Sequence, residues 1–124
     1  MSNDPASPSG SESVSEIVAL TARLRAFRDE RDWGQFHNAK DLAMALSIEA
    51  SELLECHLWK GPDDADPAKV REELADVFAY ALLLADRHGL DVTRIVTEKI
   101  ARNAEKYPVA KSKGSARKYT ELGS

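Results

Sequence analysis

Two pairs of carboxylates stand at helical spacing within otherwise apolar stretches of the chain. They are Glu49 with Glu52 and Glu73 with Asp76. Residues three apart on a helix lie on the same face, about 5–6 Å apart, so each pair can hold a cation. A buried carboxylate without a partner is costly, which favours a positive charge among these groups. Because an all-oxygen ligand set suits a hard cation, we predict Mg²⁺ as the cofactor and a metal–polyphosphate site.

Two other interpretations compete for these carboxylates. Helix surfaces are rich in glutamate, so the pairs could be solvated or ion-paired, although their place on apolar stripes disfavours this. A ferritin-like di-iron site needs a Glu-x-x-His step on two helices. Here the residue three positions after Glu49 is Glu52, and the residue three positions after Glu73 is Asp76. His57 and His88 do not stand at the required spacing. The di-iron alternative is therefore disfavoured.

A cationic stripe is expected on a later helix. Lys99, Asn103 and Lys106 stand at positions i, i+4 and i+7, which share one helical face. Donors on this face could bind phosphate oxygens through charge-assisted hydrogen bonds. Equally, the lysine stems could simply lie along apolar surface with their ammonium groups in water.

Aromatic residues cluster in a chain whose Phe, Trp and Tyr content is only 6%. The set comprises Trp33, Phe36, His37, Trp59 and Tyr80. Tyr80 lies one turn beyond the second carboxylate pair and so shares its face. An aromatic platform could stack a nucleobase, or the tryptophans could fill the core or an interface, which is their more usual role.

The chain of 124 residues predicts one all-α domain, with four helices and flanking tails. We expect a disordered tail over residues 1–12, a helical domain over 13–108 and a basic tail over 109–124. The helices are predicted near 13–31, 40–59, 67–88 and 92–106. Ser13 with Glu16 resembles a capping box, and Asp66, Gly89 and Asp91 are expected at helix ends.

Composition limits the class of protein further. A net charge of −4 argues against binding to a nucleic-acid polymer, and no long apolar segment predicts a membrane span. The lone Cys56 suits a reducing cytoplasm, which is the predicted location. The third helix is apolar almost all round from 74 to 85, so we expect its own chain on one side and a second copy on the other.

Several motifs between residues 16 and 122 carry a resemblance to a known family. They are Arg31-Asp32-Trp33, Gln35-Phe36-His37, Glu49-x-x-Glu52, Trp59, Glu72-Glu73-Leu74-Ala75-Asp76-Val77, Tyr80, Lys99, Asn103, Tyr107-Pro108, Gly114-Ser115-Ala116 and Lys118-Tyr119-Thr120. In these motifs the chain resembles the all-α MazG-like nucleoside triphosphate pyrophosphohydrolases, most closely the dCTP pyrophosphatase group.

This resemblance implies hydrolysis of a nucleoside triphosphate to the monophosphate and pyrophosphate. It implies that Mg²⁺ is bound by Glu49, Glu52, Glu73 and Asp76, which would be the catalytic set. It also implies that aromatic residues contact the nucleotide. Together with the residues of the fourth helix they form the predicted substrate-binding set: Trp33, His37, Trp59, Tyr80, Lys99, Asn103, Lys106 and Tyr107. The resemblance further implies a homotetramer built from dimers, with sites shared between chains.

The sequence does not decide which nucleotide is the substrate. dCTP or a modified dCTP is the first prediction, and a dUTPase or a broad house-cleaning pyrophosphatase is the alternative. A non-catalytic helical nucleotide-binding scaffold is a third, from another functional class. The chain departs from the dCTP-preferring pattern near Leu24, where a polar residue is missing, and this leaves the base preference undecided.

Overall fold

The computed structural model describes residues 15–116, and within that range it contains helices and no strand. The elements are α1 (Glu16–Glu30), a short 3-10 helix (Trp33–Phe36), α2 (Ala39–Glu55), α3 (Pro67–Arg87), α4 (Val92–Lys106) and α5 (Val109–Ser112). The predicted all-α class is therefore confirmed. The short α5 was not predicted and falls within the segment expected to be a basic tail, whereas the expected N-terminal tail over 1–12 lies outside the described residues.

The ends of α3 and α4 form where the sequence indicates them. Asp66 accepts a hydrogen bond from the Ala68 amide at 3.0 Å, and Asp91 accepts one from the Arg94 amide at 2.9 Å. Each carboxylate thereby satisfies an amide that has no partner within its helix. Gly89 follows α3 with a φ of +67°, a conformation that glycine adopts without steric cost.

The start of α1 differs from the predicted capping box. Ser15 is the N-cap, and its hydroxyl accepts a hydrogen bond from the Val18 amide at 3.1 Å. Ser13 lies outside the described residues, and the described helix begins only at Glu16. Ser15, two residues further along the chain, satisfies one of the first amides of the helix instead.

The second helix ends earlier than predicted. It stops at Glu55 rather than near Trp59, and the chain continues through a turn. The Leu58 amide donates to the Glu55 carbonyl at 3.3 Å, three residues back rather than four. Trp59 then adopts a positive φ of 64°, which a right-handed helix cannot contain.

Helix α3 organises residues 15–90, packing most extensively against α2 and also against α1. Arg25 on α1 donates to Asp86 on α3 at 2.7 Å, which ties these two helices together. The buried apolar side chains are Leu42, Leu82, Leu83 and Ala85. The predicted burial of α3 against its own chain is thus observed along its C-terminal half.

The other face of α3 and part of α2 expose apolar side chains. Leu74 is 40% and Phe78 is 60% exposed. Met44, Ile48 and Leu54 on α2 are exposed as well. The all-round apolar pattern of α3 therefore exceeds what this one chain buries, and the second copy that we expect on this face stays a prediction.

The described residues divide into two compact units, 15–90 and 91–116. The described part of the first unit contains α1, the 3-10 helix, α2 and α3. The second contains α4 and α5. Within residues 15–116, no helix has the length and hydropathy needed to cross a bilayer.

Candidate active site

Helices α2 and α3 bring the predicted carboxylates together. Oxygen atoms of Glu49, Glu52 and Glu73 all lie within 4.8 Å of one another. The fourth, Asp76, lies within proton-sharing reach of Glu49, and Glu73 lies within the same reach of Glu52. Glu49 thus lies beside Asp76 and Glu52 lies beside Glu73, which requires α2 and α3 to run antiparallel. We refer to these four side chains as the carboxylate cluster.

Two glutamates of the carboxylate cluster have raised pKa values. The pKa of Glu49 is raised, mainly because burial disfavours its charged form and next because Glu52 repels a second negative charge. The pKa of Glu73 is raised for the same two reasons, in the same order. Hydrogen bonds between carboxyl groups add to both shifts, since one partner must then carry a proton. Glu49 and Glu73 therefore hold a proton more tightly than an ordinary glutamate when no cation is bound.

These side chains fit a hard cation. Glu49, Glu52 and Glu73 are half-buried, so water screens their mutual repulsion only partly. The Oε2 atom of Glu73 is buried and has no hydrogen-bond partner among the described residues. A buried acceptor without a donor is costly, and a cation bound by the three glutamates would satisfy it. The cluster can thus hold a metal ion.

An aromatic cavity adjoins the carboxylate cluster. Its volume is about 250 Å³, and its walls are formed by Leu24, Phe27, Arg28, Trp33, His37, Asp76, Ala79, Tyr80 and Leu83. Asp76 belongs to both the cluster and this wall. The His37 and Tyr80 rings meet at 63° with centroids 6.5 Å apart. The cavity is therefore lined by aromatic rings and reaches the carboxylates.

The 3-10 helix places two of these rings. Trp33 packs edge-on against Phe27 of α1, with ring centroids 5.8 Å apart. His37 closes the same short element, and its Nδ1 atom is buried without a hydrogen-bond partner among the described residues. An unpaired buried ring nitrogen beside an open cavity can bond to a polar group of a ligand.

Sequence reasoning missed the part of this wall that comes from α1. Leu24, Phe27 and Arg28 line the cavity; the resemblance linked the position of Leu24 to base preference, but Phe27 and Arg28 were not predicted to contact a substrate. Arg28 donates to Asp29 at 2.9 Å and passes close to Gly34 in the 3-10 helix. Phe27 and Arg28 lie one turn after Leu24 on the same helical face, and this spacing was the available signal for a shared surface. Only the fold shows that this face meets α3.

The other predicted substrate residues come from the turn after α2 and from the second unit. Trp59 is 98% exposed and follows α2 in the turn, so it does not line the aromatic cavity. Lys99, Asn103 and Lys106 lie on α4 and Tyr107 is its C-cap. These four belong to the second unit, and their contact with a substrate stays a prediction from the sequence.

The chain matches the MazG-like family model over residues 44–122, which contain the whole carboxylate cluster. The chain belongs to the MazG-like family. The resemblance that the sequence motifs indicated is therefore confirmed. This MazG-like chain carries the family match on α2, α3 and α4, whereas α1 and the 3-10 helix lie before it.

Individual relatives of this MazG-like chain agree with that result. It is 45% identical to dCTP pyrophosphatase 1 of Rattus norvegicus over 81% of its own length and 64% of the rat protein. It is 38% identical to dCTP pyrophosphatase 1 of Bos taurus, over 95% and 73% of the two chains. The chain thus spans slightly less than two thirds of the rat relative.

A solved structure shows the same fold. A pyrophosphatase from Archaeoglobus fulgidus superposes with a TM-score of 0.72 at 36% sequence identity. The match covers 78% of this chain and 96% of the archaeal one. The helical arrangement that builds the carboxylate cluster thus occurs in a protein described as a pyrophosphatase.

Proposed function

We propose that this protein is a Mg²⁺-dependent nucleoside triphosphate pyrophosphohydrolase that acts on dCTP or a modified dCTP. The observation that carries the proposal is the contact between the carboxylate cluster and the aromatic cavity through Asp76. A cation site next to a base-sized aromatic cavity fits a nucleotide, whose phosphates need a metal and whose base needs a stacking surface. The activities for which the rat, bovine and archaeal relatives are named support it.

In this mechanism the carboxylate cluster positions the reaction. Glu49, Glu52, Glu73 and Asp76 hold the metal, and Mg²⁺ when bound neutralises phosphate charge and lowers the pKa of water. The attack on the α-phosphorus displaces pyrophosphate, and the protein contributes mainly positioning and charge neutralisation. Glu49 and Glu52 are the candidates for accepting the proton of the attacking water, since both belong to the cluster.

The aromatic cavity would hold the base. Trp33 and Tyr80 supply ring surface, and His37 and Arg28 supply polar groups at the same wall. A base stacked on such a ring gains about 1–3 kcal/mol. Leu24 offers no hydrogen bond, so base selection would rely on the polar atoms of His37, Arg28 and Asp76.

We also propose that the active form is a homo-oligomer, a tetramer of two dimers. The apolar faces of α2 and α3 that a single chain exposes support this, because burying them would stabilise the assembly. Trp59, fully exposed and outside the aromatic cavity of its own chain, would then contact nucleotide bound to a neighbouring copy.

A substrate panel with product identification tests the function. The full chain is incubated with Mg²⁺ and, separately, dCTP, 5-methyl-dCTP, dUTP and an oxidised deoxynucleotide. We expect monophosphate and pyrophosphate from dCTP or its modified form, and no turnover after chelation. Preferred cleavage of dUTP or of damaged bases would replace the proposed substrate. Release of orthophosphate would contradict the reaction, and nucleotide binding without turnover would indicate a non-catalytic scaffold.

A further inference from the structure

A second cavity borders the carboxylate cluster, and it is polar. Its volume is about 460 Å³, and its walls are formed by Glu52, Glu55, Cys56, Lys60, Lys69 and Glu73. Glu52 and Glu73 belong to both this cavity and the cluster, whereas the aromatic cavity shares Asp76 with the cluster. The carboxylates thus stand between an aromatic cavity and a cavity that carries two lysines.

The two lysines are placed by local features of the chain. Lys60 follows Trp59, whose positive φ turns the backbone out of the α2 direction. Lys69 lies in the first turn of α3, three residues after the cap Asp66. Both side chains are exposed, and neither forms an ion pair within residues 15–116. A cation in the first turn opposes the helix dipole, so helix stability does not explain Lys69.

The charge of this polar cavity depends on the metal. Its three glutamates outnumber its two lysines, so without a cation the walls are net negative and repel an anion. A divalent ion bound at the cluster offsets two of the negative charges there. The repulsion that an anion meets beside Lys60 and Lys69 is therefore smaller when the metal is bound. The polar cavity suits a phosphate anion better in the metal-loaded protein.

We propose that Lys60 and Lys69 bind the β- and γ-phosphates of the substrate and hold the leaving pyrophosphate. The inference rests on the proposed function and deepens it by assigning the orientation in which the nucleotide binds. The base lies in the aromatic cavity, the α-phosphorus lies at the carboxylate cluster, and the diphosphate points into the polar cavity.

In this orientation the reaction is a displacement at the α-phosphorus. The oxygen of water forms a bond to the α-phosphorus, and its proton passes to a carboxylate of the cluster. The bond between the α-phosphorus and the bridging oxygen breaks, and that oxygen leaves with the electron pair as part of pyrophosphate. The negative charge that develops on the leaving group meets the two ammonium groups, which favours the transition state.

Binding of pyrophosphate itself tests the assignment. The full chain with Mg²⁺ is titrated calorimetrically with pyrophosphate and with dCMP, alongside Lys60→Ala, Lys69→Ala and the double variant. Lys40→Ala serves as the control, because Lys40 is exposed on α2 and does not line the polar cavity. We expect each cavity variant to weaken pyrophosphate about tenfold, since a charge-assisted contact is lost. Affinity for dCMP should be unchanged, and arginine at either position should restore most of the loss.

Turnover distinguishes failure of this inference from failure of the proposed function. In the cavity variants KM for dCTP and the inhibition constant of pyrophosphate should rise together. If the native chain hydrolyses dCTP but the double variant binds pyrophosphate as Lys40→Ala does, the lysine assignment is overturned while the function stands. If the native chain yields no monophosphate but lysine-dependent pyrophosphate binding persists, the function fails and the anion site remains. A gain in Mg²⁺ affinity with unchanged pyrophosphate affinity would show lysines that act only on the metal, and would also overturn the assignment.

Discussion

Neutralising Glu49 should weaken the cation site and stabilise the metal-free protein. The substitution Glu49→Gln keeps the shape of the side chain and removes its charge. Its oxygen lies within 4.8 Å of oxygens of Glu52 and Glu73, so repulsion falls when no cation is present. A residue with a purely structural role would instead lower the melting temperature when it is replaced.

The magnitude follows from the geometry. At about 2.1 Å, the usual Mg²⁺–oxygen distance, one carboxylate attracts a divalent cation by about 4 kcal/mol in water. This lost attraction corresponds to an increase on the order of 1,000-fold in the dissociation constant for Mg²⁺. Removing the charge also relieves about 0.9 kcal/mol of repulsion from each of Glu52 and Glu73 at 4.8 Å. That repulsion is present with and without the cation, so its loss changes the stability of the metal-free fold and not the affinity for Mg²⁺. Partial burial lowers the local dielectric constant and strengthens both interactions.

Calorimetric titration with Mg²⁺ and thermal melting with and without chelator measure both effects. Glu72→Gln is the matched control, because it removes the same charge one residue away from Glu73 on α3, and Glu72 is not part of the three-glutamate group. We expect weaker Mg²⁺ binding and a higher metal-free melting temperature for Glu49→Gln. Because Glu72 also repels Glu73, both changes should appear in Glu72→Gln in the same direction but smaller. Equal Mg²⁺ affinity in the native chain and in Glu49→Gln would refute the cation site.

The raised pKa values of Glu49 and Glu73 mean that the folded metal-free protein binds protons more tightly than the unfolded chain. Stability from this source is complete below the ordinary glutamate pKa and is lost as pH rises through the raised folded-state pKa, so the melting temperature in chelator should fall as pH rises through that range. Saturating Mg²⁺ should remove that fall, and a fall of equal size with Mg²⁺ would contradict the assignment. Trp33→Ala should raise KM for the nucleotide by about 5- to 150-fold through lost stacking, while Phe36→Ala, at an exposed ring outside the aromatic cavity, should leave it unchanged in steady-state assays. Phe78→Glu places a charge on the exposed face of α3 and should shift the mass measured by light scattering toward the monomer; an unchanged oligomer would place the interface elsewhere.

The exposed apolar face of α3 links the fold to the proposed assembly. A helix that is apolar all round is expected to be covered on all sides. In this chain the C-terminal half of α3 is covered, whereas Phe78 remains 60% exposed. Covering such a face with a second copy would add apolar burial, which stabilises an assembly.

The sequence alone determined the local structure and the chemistry of the cluster. Asp66 and Asp91 fix helix starts, and Gly89 follows the end of α3, through short-range steric and hydrogen-bonding preferences. Carboxylates three residues apart share a face on any helix. These features depend on near neighbours in the chain, so periodicity and residue type were enough to predict them.

Tertiary structure decided what the carboxylates face. Only the antiparallel packing of α2 on α3 brings Glu49 to Asp76 and Glu52 to Glu73. The contributions of Arg28 to the aromatic cavity and of Lys69 to the polar cavity also come from packing between helices and the turn before α3. Distances between elements depend on which surfaces bury each other, and spacing along one helix carries no information about that choice.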